Sequence, residues 1–151
     1  MSESNPIRLY VTHAFDEGGD YLRVFEFLES ARDFFYTNTS KPEEPQPSDP
    51  EALREHLRLQ IKPAELVIAL GSLGRGREEL LGFQMTYAQA IHRPVLLVPS
   101  FGGDAWLPPK LTDMATEIGQ WDSRAIVDAA RRLARGEDTT RFDTIEFKLD
   151  D

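Results

Sequence analysis

Two short runs, residues 66–70 (LVIAL) and 95–98 (VLLV), contain no polar residue. That is the pattern of strands covered by helices on both faces of a parallel sheet. Between them, residues 78–91 carry Leu80, Leu81, Phe83, Met85, Tyr87, Ala88 and Ile91. Apolar positions thus surround this helix, which predicts that it is largely buried. Residues 65–100 read as one βαβ unit whose first turn is the glycine-rich GSLGRGR of residues 71–77. One uncharged polar residue, Gln84, lies on the Leu80, Tyr87, Ala88 and Ile91 side, where burial requires its amide to find partners.

The same patterning extends in both directions. Ile7, Leu9 and Val11 alternate with Arg8, Tyr10 and Thr12, as in a first strand, and HAFDEGGD makes the turn after it. Asp20 is the expected N-cap of a helix marked by Tyr21, Val24, Phe25 and Leu28. The β-favouring run at 33–39 predicts a second strand. Prolines 42, 45, 47 and 50 then predict an exposed, extended loop, read as a surface connector in preference to a substrate lid. Asp49 and Pro50 open a helix buried at Leu53, Leu57 and Ile61 and stopped by Pro63. After residue 100, a loop with Trp106 leads to one short helix within 110–118 and an edge strand at 119–122. Asp122 or Ser123 caps a last helix with Ile126, Val127, Ala130, Leu133 and Ala134 on one face and Gly136 as its stop. In the tail, Ile145, Phe147 and Leu149 alternate, as in an added strand or a segment lying on the body. Strands alternating with helices imply an α/β fold with a mainly parallel sheet of about five strands.

At 151 residues the chain is expected to be one domain, with a core of about 7–135 and an acidic tail at 137–151. That tail holds six acidic residues against two basic ones. With 40% hydrophobic and 28% charged residues the composition is that of a soluble globular protein. No apolar run approaches the roughly 20 residues of a membrane span. No signal-peptide pattern opens the chain and cysteine is absent, so a cytoplasmic location is expected, without disulfides or thiolate metal sites. His13, His56 and His92 are scattered, and no metal site is expected. A net charge of −9 has the wrong sign for a phosphate backbone, so nucleic acid is not an expected partner.

Ligands of such sheets bind at the carboxyl ends of the strands. Four loops qualify: 12–20, 36–40, 71–77 and 100–106. In the first, His13, Phe15 and Asp16 form a polar and aromatic cluster suited to a base or a ribose. Tyr36 and Asn38 end the second strand, with packing and strand capping as their plainer roles. Gly71, Ser72, Arg75 and Arg77 lie at a helix N-terminus, where backbone N–H groups favour an anion. The turn meets neither the P-loop nor the dinucleotide-binding fingerprint, and a solvated turn is an equal reading.

The string FQMTYAQA followed by HRPVLLV resembles the helix and following strand of Toll/interleukin-receptor (TIR) domains, where an E-(apolar)-x-x-A helix precedes a K/R-P-(apolar) strand. IRLYVTHAFDE resembles that family's first strand and loop, and ELVIALGSL its strand ending in a polar turn. The likeness covers roughly residues 7–135 and is nearest to the bacterial TIR-like group that includes the TIR component of Thoeris anti-phage systems. It implies a flavodoxin-like, TIR-like three-layer sandwich. It also implies an enzyme that consumes NAD as substrate, cleaving the nicotinamide–ribose bond to make ADP-ribose, a cyclic variant or an adduct. The diffusible product would act on a downstream effector protein, and TIR self-association is expected. Tyr87 joins His13, Phe15, Asp16, Tyr36, Asn38 and the 71–77 turn as the implied nucleotide-binding set.

The family's catalytic glutamate falls on position 84, which is glutamine here. Departure of nicotinamide leaves a ribosyl cation, and a carboxylate beside it stabilises that charge. Removing such a group lowers rates by about 10²- to 10⁴-fold, or roughly 3–5 kcal/mol of barrier. Three explanations stand: an engineered isosteric Glu-to-Gln change, a natural loss in a binding-only relative, or a core glutamine in a protein whose site lies elsewhere. The first is the expectation, because the remainder of the implied site looks intact. A non-catalytic nucleotide-binding or TIR–TIR interaction module is the alternative. A second is an enzyme similar to nucleoside 2-deoxyribosyltransferases, whose E-L-G-Y-A-Y-A-L-G-K-P helix runs in register with QMTYAQAIHRP.

Overall fold

The computed structural model describes residues 1–103 and 106–137. Five strands, β1 (Ile7–Val11), β2 (Tyr36–Asn38), β3 (Leu66–Leu70), β4 (Val95–Val98) and β5 (Glu117–Ile118), form one sheet in the order β2-β1-β3-β4-β5. Every pairing is parallel. The helices between and after them are α1 (Gly19–Glu29), α2 (Pro50–Ile61), α3 (Glu78–Ala90), α4 (Pro109–Met114) and α5 (Ser123–Arg135). α1 and α5 cover one face through Tyr21, Val24, Leu28, Ile126, Val127 and Ala130. Ile61, Leu81, Met85, Ala88 and Leu111, from α2, α3 and α4, cover the other. The result is an α/β three-layer sandwich of the flavodoxin-like type.

Two covered faces explain the strand sequences. β3 and β4 are buried at every position. In β1 only Arg8 is exposed, while Tyr10 and the following Thr12 are fully buried. The polar alternation in this strand therefore does not mark a solvent face. Asp49 caps α2 by accepting from the Ala52 N–H at 2.9 Å, with Pro50 at N1. Asp122 caps α5 in the same way through the Ala125 N–H at 2.8 Å, and Gly136 ends it in the left-handed region at φ 66°. At the opposite end of the sheet from the candidate loops, Arg135 pairs with Glu65 and donates to the Pro6 carbonyl, fixing the end of α5 to the starts of β1 and β3.

Several boundaries differ from expectation for local reasons. α1 is preceded by Gly18 with no side-chain cap; Asp20 sits in its first turn and accepts from Arg23 and the Phe101 N–H. β2 is shorter than 33–39, because Phe34 turns inward to 6% exposure before pairing begins. β5 lies at Glu117–Ile118, two residues upstream of the expected edge strand at 119–122. Gly119 N–H still bonds Leu97 O at 2.7 Å, and the chain then leaves the sheet so that Asp122 can cap α5. α3 is not buried all round: Leu81, Gln84, Met85 and Ala88 are buried, Phe83 and Tyr87 half-buried, and Thr86, Gln89 and Ala90 exposed. Its neighbour α4 has only six residues, which leaves a cleft of about 550 Å³ over Gly82, Phe83 and Thr86. The expected alternation at Ile145, Phe147 and Leu149 lies outside the described residues. No helix among the described residues is long and apolar enough to cross a membrane.

Candidate functional site

The sheet order reverses between β1 and β3, the switch point where ligands of such folds sit at the carboxyl ends of the strands. There the Thr12 hydroxyl accepts the Leu70 N–H at 2.9 Å, while the loops after β1 and the 3₁₀ turn Gly71–Gly74 after β3 diverge. They enclose a crevice of about 70 Å³ lined by Thr12, His13, Asp16, Asp20, Tyr21 and Ser72, among others. A second, open recess of about 770 Å³ lies between the proline-rich loop and the starts of α2 and α3, with Ser48, Arg54, Arg77 and Leu80 on its walls.

Gln84 lines neither recess but bonds a residue of each, His13 of the crevice and Leu80 of the open recess. It is fully buried. Its Oε1 accepts from the Tyr10 hydroxyl at 2.5 Å and the His13 N–H at 3.1 Å. Its Nε2 donates to His13 O at 2.8 Å and Leu80 O at 3.0 Å. The His13 N–H can only donate and the two carbonyls can only accept, so the amide has one possible orientation, and both of its N–H groups are used. A carboxylate here would keep the first two bonds but turn its second oxygen against two carbonyl oxygens. The arrangement suits an amide and opposes an ionised carboxylate.

His13 continues the network. It is 1% exposed; its Nδ1 accepts the Phe15 N–H at 2.9 Å, and its Nε2 bonds Gln60 Oε1 at 2.8 Å. Gln60 Oε1 also accepts the Lys41 N–H at 2.8 Å, so the His13 Nε2 must be the protonated nitrogen of a neutral ring. Burial holds the imidazole below its ordinary value, against opposing effects of Gln60 and of Asp16, Glu43 and Glu44. Tyr10, fully buried beside the ring, is held neutral because burial raises its pKa further above 10.

The other expected residues divide. Phe15 and Asp16 sit beside His13, with Phe15 in the left-handed region at φ 64° and edge-on to the imidazole. Ser72 lines the crevice, but Gly71 is packing: a Cβ there would lie 2.5 Å from Leu107 Cδ2 and 3.0 Å from Val98 O. Arg75 lies over the Trp106 ring at 4.9 Å, and Arg77 faces the open recess. The turn therefore does not gather its amides and arginines around one anion. Asn38 stands behind the crevice wall, donating to the Tyr21 hydroxyl at 3.1 Å. Tyr36 is not brought to the crevice: it packs on Phe25 and Phe34 and donates to Glu29, and burial raises its pKa. Tyr87, half-buried, stacks on Phe83 and lines neither recess. Tyr10, Thr12, Asp20, Tyr21 and Gln60 are site residues that the sequence reading did not select. Gln60 had a signal, since it lies three residues after Leu57 and beside Ile61 on the buried face of α2.

No protein-family model matches the chain, and comparison with the curated proteins finds no match. What fold and site define is a class: a flavodoxin-like α/β sandwich with a buried network of Tyr10, His13, Gln60 and Gln84 beside its switch point.

Proposed function

We infer that this chain is a TIR-type protein of bacterial antiviral defence that takes NAD or an ADP-ribose-type nucleotide at the carboxyl end of its sheet. With glutamine at position 84 it holds that nucleotide without cleaving the nicotinamide–ribose bond. One observation carries the reading: residue 84, at the family's catalytic position, is fully buried and its amide ties His13 of the crevice to Leu80 of the open recess, where an ionised carboxylate would meet two carbonyl oxygens. Asp16, Asp20 and Ser72 suit ribose hydroxyls, and Arg54 and Arg77 in the recess suit phosphates. A crevice of about 70 Å³ is far below the volume of a small-molecule site, so binding requires the 12–18 loop to swing outward. Cytoplasmic location, self-association and a role upstream of an effector protein belong to the same proposal.

The test is calorimetry with NAD and ADP-ribose on the chain as given, with nicotinamide release followed in parallel. Saturable binding without nicotinamide is the expected result. Absence of binding would leave a TIR–TIR interaction module; steady nicotinamide release would restore the NAD-consuming enzyme. Gln84→Glu assayed for NAD loss, and for base exchange with deoxynucleosides, separates it from a deoxyribosyltransferase.

A further inference from the structure

We propose that His13 is a proton-operated latch on the loop that walls the crevice: the neutral imidazole holds Phe15 closed, and protonation at Nδ1 releases it while leaving the bond to Gln60 in place. The two ring nitrogens face partners of opposite kind. Nε2 points at Gln60 Oε1, an acceptor that a charged imidazolium satisfies as well as a neutral ring does. Nδ1 is the acceptor for the Phe15 N–H at 2.9 Å, and a proton there sets one N–H against another. Phe15 is the weak point of the loop, since it holds φ 64°, a left-handed conformation uncommon for a bulky side chain. Losing the Nδ1 bond removes a restraint that keeps it there.

The surroundings give the proton nowhere better to go. Around the ring stand Tyr10 from β1, Tyr21 from α1, Gln60 from α2, Asp16 on its own loop, and Glu43 and Glu44 from the proline-rich loop. The tyrosines stay neutral with raised pKa values, and the three carboxylates favour the imidazolium only in part, because burial dominates and keeps the closed-state pKa low. An opened loop hydrates the ring and returns it toward its ordinary value of about 6.5. Protons therefore bind the open form preferentially and draw the population toward it. The same chain of bonds fixes what stays shut: the Lys41 N–H is held by Gln60 Oε1, not by His13, so the proline-rich loop keeps its anchor.

The experiment is an NMR titration of the full chain from pH 7.5 to 5, recording the His13 imidazole nitrogens and amide-exchange protection factors. A neutral Nε2–H tautomer is expected at pH 7.5. Below about pH 6.5 the Phe15 protection should fall about tenfold per pH unit until the closed form itself titrates, with Lys41 protection unchanged. His13→Gln should abolish that dependence, and His56→Gln or His92→Gln should leave it intact. Three results would overturn the latch: an Nδ1–H tautomer, a Phe15 protection factor flat through the His13 titration, or Phe15 and Lys41 losing protection together. All use the unliganded chain, so they stand or fall apart from the nucleotide reading.

Discussion

A glutamine amide and a glutamate carboxylate fill nearly the same volume but ask for opposite partners, and at position 84 the partners are already chosen. Two donors face one end of the side chain and two acceptors the other. Gln84→Glu is therefore expected to lower stability at pH 7 by about 3–5 kcal/mol, the scale for an uncompensated buried charge. Burial would raise the folded-state pKa of the introduced carboxyl above its unfolded value, so the loss shrinks as pH falls and the group takes up a proton that it can donate to one of the carbonyls. Urea unfolding of both proteins at pH 7.5 and 5.5 checks this, with a variant as stable as the parent at pH 7.5 as the contrary outcome. The sequence pointed to this residue correctly, as a polar group on an apolar face. It could not show which atoms the amide meets, because Tyr10 and His13 lie some seventy residues away and their directions are set only when β1 packs beneath α3.

At the scale of elements, the turn after β3 and the helix after it show how glycines serve unrelated ends. Gly71 is wedged between Leu107 and the end of β4, whereas Gly82, in the middle of α3, has nothing within 4 Å of where a Cβ would stand. Alanine should thus act with opposite signs at the two positions. Gly71→Ala is expected to destabilise by about 1–3 kcal/mol through overpacking against a backbone carbonyl, and Gly82→Ala to stabilise by about 0.5–1 kcal/mol through helix propensity. Chemical denaturation of both variants reads the difference, and two shifts of the same sign would refute it. The long elements were legible from period and caps: β3, α2 with Asp49–Pro50, β4, and α5 between Asp122 and Gly136. The edge strands were not. β2 and β5 have three and two residues, too few for a period to show, and each is defined by the neighbour it pairs with. The arginines scatter for a related reason: they follow the 3₁₀ turn Gly71–Gly74, with Arg75 extended and Gly76 at φ 99° before Arg77, a backbone path that the string alone does not specify.

The whole molecule combines these groups into an acid response with two separate steps. His13 has a folded-state pKa below its unfolded value, so the stability tied to its neutral ring is present above about pH 6.5 and lost as pH falls toward the lowered native value. Glu65 is held at about 2, chiefly by the hydrogen bond from Arg135, against an unfolded value of 4.5. Its contribution is intact above pH 4.5 and lost as pH falls toward 2. Glu117, lowered by Arg132, behaves in the same direction. The urea midpoint is accordingly expected to decline as pH falls below about 6.5, with a further decline setting in below about 4.5, and with a net charge of −9 at neutrality working the other way as carboxylates are neutralised and self-repulsion relaxes. About 0.5 M salt suppresses that general repulsion, since the screening length is then only a few ångströms, but barely reaches a ring buried as His13 is. The first decline should survive in salt and disappear in His13→Gln; Glu65→Gln should remove part of the second and leave the first. A midpoint constant from pH 7 to 5 in salt would show that the imidazole titrates alike in the folded and unfolded chain.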